Sequence, residues 1–536
     1  MLTPVDILGA DGSIAKRLER YELREEQLKM AEAVNRAFID KRHLLVEAGT
    51  GVGKSFAYLI PAILQTAGNQ NDQIKDDKLD SFLSGNTEAK NPQSENSEII
   101  VTKNESSMND EFDYDIPFEN DSFENYYDTN SSDQFDPQPQ HLIEFPRVVI
   151  STHTISLQEQ IMEKDIPFLR SVLPFEFTAV LVKGRSNYLC LRRFQSALQK
   201  SSLLFDDFQQ RQFERLRSWA ASTDDGSKSS LVPEPDWEIW AEICCETGNC
   251  MGKKCKSYKD CFYGKARRRV ANAQILVVNH ALFFSDLALR MQSGGILPVY
   301  NMLVFDEAHT ISQVAADHIG ISVTQYQVEY NLHRLYNSGT QKGLLTNYEV
   351  ADKNKNAAAK FAAHIKADRR SGEIQKNNET DVSVEMDKGE LCMIVDDCLA
   401  RSEIFFGELA DWLSSHPGSN GRVRKIGVVR NLLSEGLSKL MEKLRRMIER
   451  LGNPNERQEF RAVRDKITSI RDDIDSWITQ SLQEESVYWL EVKKTSHGKQ
   501  RVSINASPID IGPILRKHIF GQIQSVIMTS ATLTTS

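Results

Sequence analysis

Nine residues, Glu47-Ala48-Gly49-Thr50-Gly51-Val52-Gly53-Lys54-Ser55, combine glycines, a lysine and a hydroxyl in the pattern that holds polyphosphates. Glycine lets successive backbone N–H groups turn inward around phosphate oxygens. Lys54 is placed to reach the β- and γ-phosphates of ATP, and the Ser55 hydroxyl to bind Mg²⁺. The usual first glycine of such a loop is Ala48 here. Far along the chain, Asp306-Glu307-Ala308-His309 sets two carboxylates side by side. Asp306 suits the Mg²⁺ hydration shell, and Glu307 the activation of an attacking water. His309 reads as a coupling residue and not a chemical one. Lys54, Asp306 and Glu307 are thus the expected catalytic residues of an ATP hydrolase.

A second chemistry lies in the thiols. Of eight cysteines, five fall between Cys244 and Cys261, and a sixth is Cys190. Zinc knuckles present pairs two residues apart, and no such pair occurs here. Cys250, Cys255 and Cys261 are spaced by four and five intervening residues, and Cys190 is the expected distant fourth partner. Four thiolates can hold a [4Fe–4S] cluster without a fixed spacing. Cys244 and Cys245 fall outside that set and leave room for zinc or another ligand choice. Cys392 and Cys398 sit in a helical pattern and read as packing residues.

These groups need elements to position them. His43-Leu44-Leu45-Val46 is a short strand before the glycine loop, and Phe56 to Leu64 a helix after it, which is the context a P-loop requires. Met302-Leu303-Val304-Phe305 is a buried strand that delivers Asp306. Val148-Val149-Ile150 leads into Ser151-Thr152-His153-Thr154, and Val526-Ile527-Met528 into Thr529-Ser530-Ala531-Thr532. Strands alternating with helices predict an α/β fold built on a parallel sheet. After His309 that alternation stops for almost 200 residues. There Val429, Leu433, Leu437, Leu440, Leu444, Met447 and Leu451 step by three or four, and Gly452-Asn453-Pro454 ends the helix. Phe460, Val463, Ile467, Ile470, Ile474 and Trp477 repeat the stripe, predicting an antiparallel helical hairpin.

The chain has 536 residues and a formal charge of −10, with 65 Lys and Arg against 75 Asp and Glu. That balance would argue against a nucleic-acid partner if it were evenly spread. It is not. Between Gly68 and Pro146 stand 19 Asp or Glu and 4 Lys, a local net of −15, so the remainder carries about +5. The segment is polar and lacks an apolar period, and so predicts a disordered insert. Within it, Glu111-Phe112-Asp113-Tyr114-Asp115-Ile116-Pro117-Phe118 resembles the acidic tip of bacterial single-strand DNA-binding proteins. No apolar run approaches the ~18 residues of a spanning helix, and Met1 to Ala15 lack signal-peptide zones. The expectation is a cytoplasmic protein with no membrane partner.

A P-loop followed by Asp-Glu-Ala-His resembles the superfamily 2 helicases. In that superfamily Tyr21, Arg24 and Gln27 occupy the adenine-reading position. Thr152 and His153, with Gln158 and Gln160 behind them, resemble the motif that touches the DNA backbone. Ser530 and Thr532 resemble the motif that links ATP hydrolysis to strand movement. Lys183-Gly184-Arg185-Ser186-Asn187-Tyr188-Leu189-Cys190, the cysteine triplet and Val278-Asn279-His280-Ala281-Leu282 narrow the resemblance to the DinG branch of the XPD-like iron–sulfur helicases. It implies an ATP-dependent DNA helicase moving 5′ to 3′ in repair or replication, acting on single-stranded and forked DNA as a monomer. ATP, Mg²⁺ and a [4Fe–4S] cluster are the implied cofactors. Arg267 and Arg268, in the basic run Lys265 to Arg269, read either as phosphate contacts or as a solvated helix face.

The implied layout is a RecA-like domain interrupted by an iron–sulfur domain and an all-helical Arch domain. Residues 1–67, 147–182, 271–315 and 501–536 build the RecA-like part. Residues 68–146 form the acidic insert, which is a candidate contact for single-strand DNA-binding protein or its partners. Residues 183–270 form the cluster domain and 316–500 the Arch. The second motor domain of such helicases is not among these residues, which predicts weak ATP turnover by this chain alone. The rival readings are a non-catalytic single-stranded DNA-binding module and an RNA helicase.

Overall fold

The computed structural model describes residues 2–49, 51–67, 146–199, 207–291, 294–346, 348, 379–482, 485–494 and 500–532. The expected tip motif in the acidic segment, and Thr50, lie outside the described residues. In chain order the strands are β1 Leu44–Glu47, β2 Val148–Thr152, β3 Ala179–Leu181, β4 Ile275–Asn279, β5 Met302–Asp306, β6 Ile321–Thr324, β7 Ser486–Lys494, β8 Gln500–Pro508 and β9 Ser525–Ser530. Six of them form a parallel sheet in the order β1-β9-β5-β2-β4-β3. The central strands are apolar along most of their length because both faces are covered, whereas Leu45 of the edge strand β1 is exposed. Val148, Ile150, Val277, Val304 and Ile527 face the helices Glu25–Ile39 and 54–67. Val149, Leu276, Leu303, Phe305 and Val526 face the other way, onto Phe283, Phe284 and Ala315. Phe305 meets Phe283 edge-on with centroids 5.0 Å apart.

Because the strands are parallel, all their C-terminal ends emerge along one edge, where open α/β sheets bind ligands. Glu47 lies in register with Ser530, Asp306 with Thr529, and Thr152 with Asn279. The sheet therefore gathers four separate motifs along one rim.

The chain between β3 and β4 leaves the sheet to build a cysteine-bearing unit. Its own core includes Tyr188, Phe194, Phe213, Leu216, Trp240 and Ile243. A second excursion follows β5 and the helix Ile311–Ile319. Here the expected hairpin forms from Leu432–Arg450 and Pro454–Ile478, with Asn431 and Asn453 as their N-caps. The stripes Leu433 to Leu451 and Phe460 to Trp477 are buried, and Val429, ahead of the first helix, packs on their edge. A long helix, Glu379–Ser415, adds a third wall, with Cys398 in the core and Cys392 at its margin.

The expectation of an all-helical insertion needs amending. β6, β7 and β8 form an antiparallel sheet of three strands, and Val323, Tyr488, Leu490, Val502, Ile504 and Ala506 share the helices' core. The indole N–H of Trp477 donates to the Asn505 carbonyl at 2.8 Å, pinning helix to sheet. A boundary at residue 500 would cut the β7–β8 ladder, which runs from Ser486 opposite Pro508 to Lys494 opposite Gln500. The unit extends to Pro508.

Charged pairs lock the two insertions together. The Arg334 guanidinium grips both oxygens of Glu246, at 2.8 and 3.2 Å, while Arg193 stands 3.6 Å from the same carboxylate. Arg192 lies 3.7 Å from Glu459, and Gln458 donates to the Gly248 carbonyl at 2.7 Å. Removing one partner of such a buried set strands the other charge, which costs about 3–5 kcal/mol. No helix among the described residues is long and apolar enough to cross a membrane.

Candidate functional site

β1 runs directly into the glycine loop, whose start is tied to β9 by the Ala48 N–H donating to the Ser530 carbonyl at 3.0 Å. Gly51 and Gly53 adopt φ of +88° and +85°, which side-chain-bearing residues resist. At Gly53 a Cβ would collide with the amide of Gln27. That amide donates to the Gly53 carbonyl at 2.9 Å, and the Arg24 guanidinium donates to the Gly51 carbonyl. Arg24 and Gln27, expected to read adenine, thus brace the loop itself. Tyr21 is held by its hydroxyl bond to the Leu8 carbonyl at 2.6 Å.

Lys54 begins the helix after the loop, and its ammonium lies 2.9 Å from a Glu307 carboxylate oxygen, both side chains partly buried. Glu307 has φ of +57°, a left-handed conformation unusual for a glutamate. Asp306 is buried, and three donors share its carboxylate. Thr529 hydroxyl donates at 3.0 Å and Glu307 N–H at 3.1 Å to one oxygen, and Tyr58 hydroxyl at 3.1 Å to the other. Burial pushes the Asp306 carboxyl up, while Thr529, Lys54 and Tyr58 hold it down. Burial raises the Asp165 carboxyl, and the nearby Ser55 hydroxyl offsets part of that rise.

His309 Nδ1 lies 2.8 Å from Ser530 Oγ and 3.4 Å from Glu307. Ser530 Oγ in turn accepts from the Thr532 N–H at 3.3 Å. The structure therefore brings Lys54, Glu307, His309, Ser530 and Thr532 into one connected line.

Tyr58, Thr529 and Asp165 were not singled out from sequence as site residues. Tyr58 was findable, since it follows Lys54 by four and shares its helix face. Thr529 depended on β9 lying beside β5, which no local pattern reveals. A test follows from these bonds. Losing a donor lets burial raise Asp306 further, so it protonates at higher pH. In Thr529→Val, and to a smaller extent Tyr58→Phe, the acid limb of the ATPase pH profile should move to higher pH.

The residues expected to touch DNA divide. Thr152 is fully buried with its hydroxyl turned to the Thr154 carbonyl at 3.4 Å, whereas His153 is exposed. The buried His280 links this strand end to the site: Ser151 Oγ lies 2.7 Å from its Nδ1, and the His153 ring 6.0 Å from its ring. Arg267, on the helix Phe262–Ala271, is committed to the Ile296 carbonyl, while Arg268 lies near the Gly264 turn beside Cys261.

The thiols come from three segments. The stretch around Cys190 pairs antiparallel with that around Cys244, through Cys190 N–H to the Ile243 carbonyl (2.9 Å) and Cys245 N–H to the Tyr188 carbonyl (2.7 Å). Cys244 points into the apolar core and is a packing residue. Cys261 caps the helix Phe262–Ala271, its sulfur accepting from Gly264 N–H at 3.4 Å. Its thiol feels Cys250, Cys190 and Cys255 in turn, so the four predicted residues share one electrostatic neighbourhood. Burial raises Cys190 and Cys261, whereas the neighbouring Cys245 thiol, assisted by Arg185 and Arg192, holds Cys250 down. Among the described residues no three His, Cys, Asp or Glu stand close enough to hold one metal ion. The donor chemistry, thiols with Arg185 and Arg192 near Cys250 and with Arg192 and Arg193 near Cys190, suits a thiolate-held anionic cluster.

The family model described as DEAD_2 matches residues 245–328, from Cys245 through the DEAH segment into the helical insertion. The ATP-dependent DNA helicase YoaA of Escherichia coli is 30% identical over 329 residues, covering 60% of this chain and 38% of that protein. A protein named 3′-5′ exonuclease DinG from Bacillus subtilis is 22% identical, covering 98% of this chain and 47% of its own length. The ATP-dependent helicase DinG of Mycobacterium tuberculosis is 28% identical over 306 residues, covering 54% of this chain and 34% of that one. The chain is similar to proteins named as DinG and YoaA helicases. It spans less than half the length of these curated relatives. The family match covers the Cys250–Cys261 stretch and the Asp306-Glu307-Ala308-His309 segment together.

Proposed function

We propose that this chain is the ATP-binding portion of an ATP-dependent DNA helicase of DinG type. The observation that carries it is the line Lys54–Glu307–His309–Ser530 beside the buried Asp306, all on the rim of one parallel sheet. The phosphates of ATP lie in the loop of residues 48–55, against inward N–H groups and the helix N-terminus. Ser55 and Asp306 would hold Mg²⁺, which would supply charge neutralisation at the phosphates. Lys54 and Glu307 neutralise each other when paired. A γ-phosphate competes for Lys54 and releases Glu307, which then accepts a proton from water. His309 senses that change and passes it to Ser530 on β9.

Cys190, Cys250, Cys255 and Cys261 would hold a [4Fe–4S] cluster, which would cross-link the Cys190 stretch to the 250–261 loop and supply redox-active iron. The unit they organise is locked to the helical insertion through Glu246 and Arg334, which supports a rigid frame for a single strand. Movement 5′ to 3′, action on forked DNA, monomeric state and a role in repair or replication follow from the family resemblance. Contact with single-strand DNA-binding protein is a proposal resting on residues 111–118.

The test is ATP turnover with and without nucleic acid. Single-stranded DNA should raise it by about tenfold or more, equivalent to ~1.4 kcal/mol in barrier, and RNA should not. Equal stimulation by RNA would reassign the substrate; DNA binding without any turnover would leave a non-catalytic binding module.

A further inference from the structure

Where the cysteine-bearing unit meets the helical insertion, a cavity of about 320 Å³ opens between the helices Trp237–Ile243 and Gln325–Leu335. Trp237, Tyr326 and Tyr330 form the aromatic part of its wall, beside Gln209, His333 and Asn337. The Trp237 ring lies 5.8 Å from Tyr326 and 5.5 Å from Tyr330, and the two tyrosines stack at 6.1 Å. Trp237 remains about half exposed, so the cavity communicates with solvent.

Three carboxylates, Glu238, Glu242 and Glu329, line the same space. Glu238 accepts from the Gln209 amide at 2.9 Å and Glu329 from the Gln325 amide at 2.8 Å, bonds that orient the acids without cancelling their charge. Aromatic faces are electron-rich, and a cation held over them is stabilised, more so with carboxylates at the rim. The chain already contains one such contact here: the Arg501 guanidinium lies 4.3 Å from the centroid of Tyr326.

We propose that this cavity binds an organic cation, a guanidinium or alkylammonium group. The two sources of that chemistry are a basic side chain presented by a partner protein and a free polyamine. The site is separate from the nucleotide rim and does not depend on the helicase reading. Bases could stack on these rings, but a nucleic-acid strand would carry its phosphates against three carboxylates.

The experiment titrates the whole chain with N-acetyl-arginine amide and, separately, with spermidine, followed by calorimetry. At least one should bind, and both Trp237→Ala and the isosteric Glu242→Gln should weaken that binding about tenfold. Binding of the arginine amide alone assigns the site to a protein side chain; tighter binding of spermidine assigns it to a polyamine. Thermal unfolding of the variants shows whether they are folded, and Glu242→Gln serves if Trp237→Ala is not. The proposal is overturned if neither cation binds at millimolar concentration, or if folded variants bind as well as the parent. It is also overturned if Trp237→Ala loses affinity for oligothymidylate and not for the cations.

Discussion

Lys54→Ala should lower ATP turnover by about 10²–10³-fold, the usual consequence of removing one preorganised charge from a developing anion. The lysine is partly buried, where its charge is less screened than in bulk water. Its loss also leaves Glu307 without the partner it holds at 2.9 Å, so the carboxylate is free but the phosphate is no longer drawn to it. Glu307→Gln separates the two roles. It should keep ATP affinity, because Lys54 is then released to the phosphates, and lose turnover, because no base remains. Steady-state kcat and KM, with nucleotide binding measured directly, distinguish a binding defect from a chemical one. Wild-type turnover in Lys54→Ala would place the ATP site elsewhere.

Cys255→Ser should remove most of the bound iron and acid-labile sulfide, from about four of each per chain to a small residue. Cys250→Ser should do the same. Cys392→Ser, on the margin of the helical core, should leave both contents unchanged and so serves as the control. Loss of the cluster releases the cross-link between the Cys190 stretch and the 250–261 loop, so affinity for single-stranded DNA should fall while ATP binding persists. Iron and sulfide assays with absorbance in the sulfur-to-iron charge-transfer region read the first effect. Zinc in place of iron would overturn the ligand assignment.

Cys244 and Cys245 show where local pattern stops being informative. Adjacent in sequence, they were equal candidates for an alternative ligand set. In an extended segment neighbouring side chains point to opposite sides. One therefore enters the core with Trp240 and Ile243, and the other meets Cys250. Nothing in the spacing says which. The strands 486–494 and 500–508 are a similar case. They lie beside strongly periodic helices, and the partner that makes β6 part of a sheet, the stretch Ser503 to Ala506, is far along the chain.

By itself the sequence determined the glycine loop, the paired DEAH carboxylates and the helical stripes. Each of these is imposed locally: phosphate binding needs glycines in a row, and a buried helix face needs a 3.6-residue period. Tertiary structure alone decided which of those groups meet. Lys54 and Glu307 are 253 residues apart in the chain, Asp306 and Thr529 are 223, and His309 and Ser530 are 221. Their contacts follow from β9 inserting between β1 and β5 in a parallel sheet, and strand order is a property of the whole chain's packing.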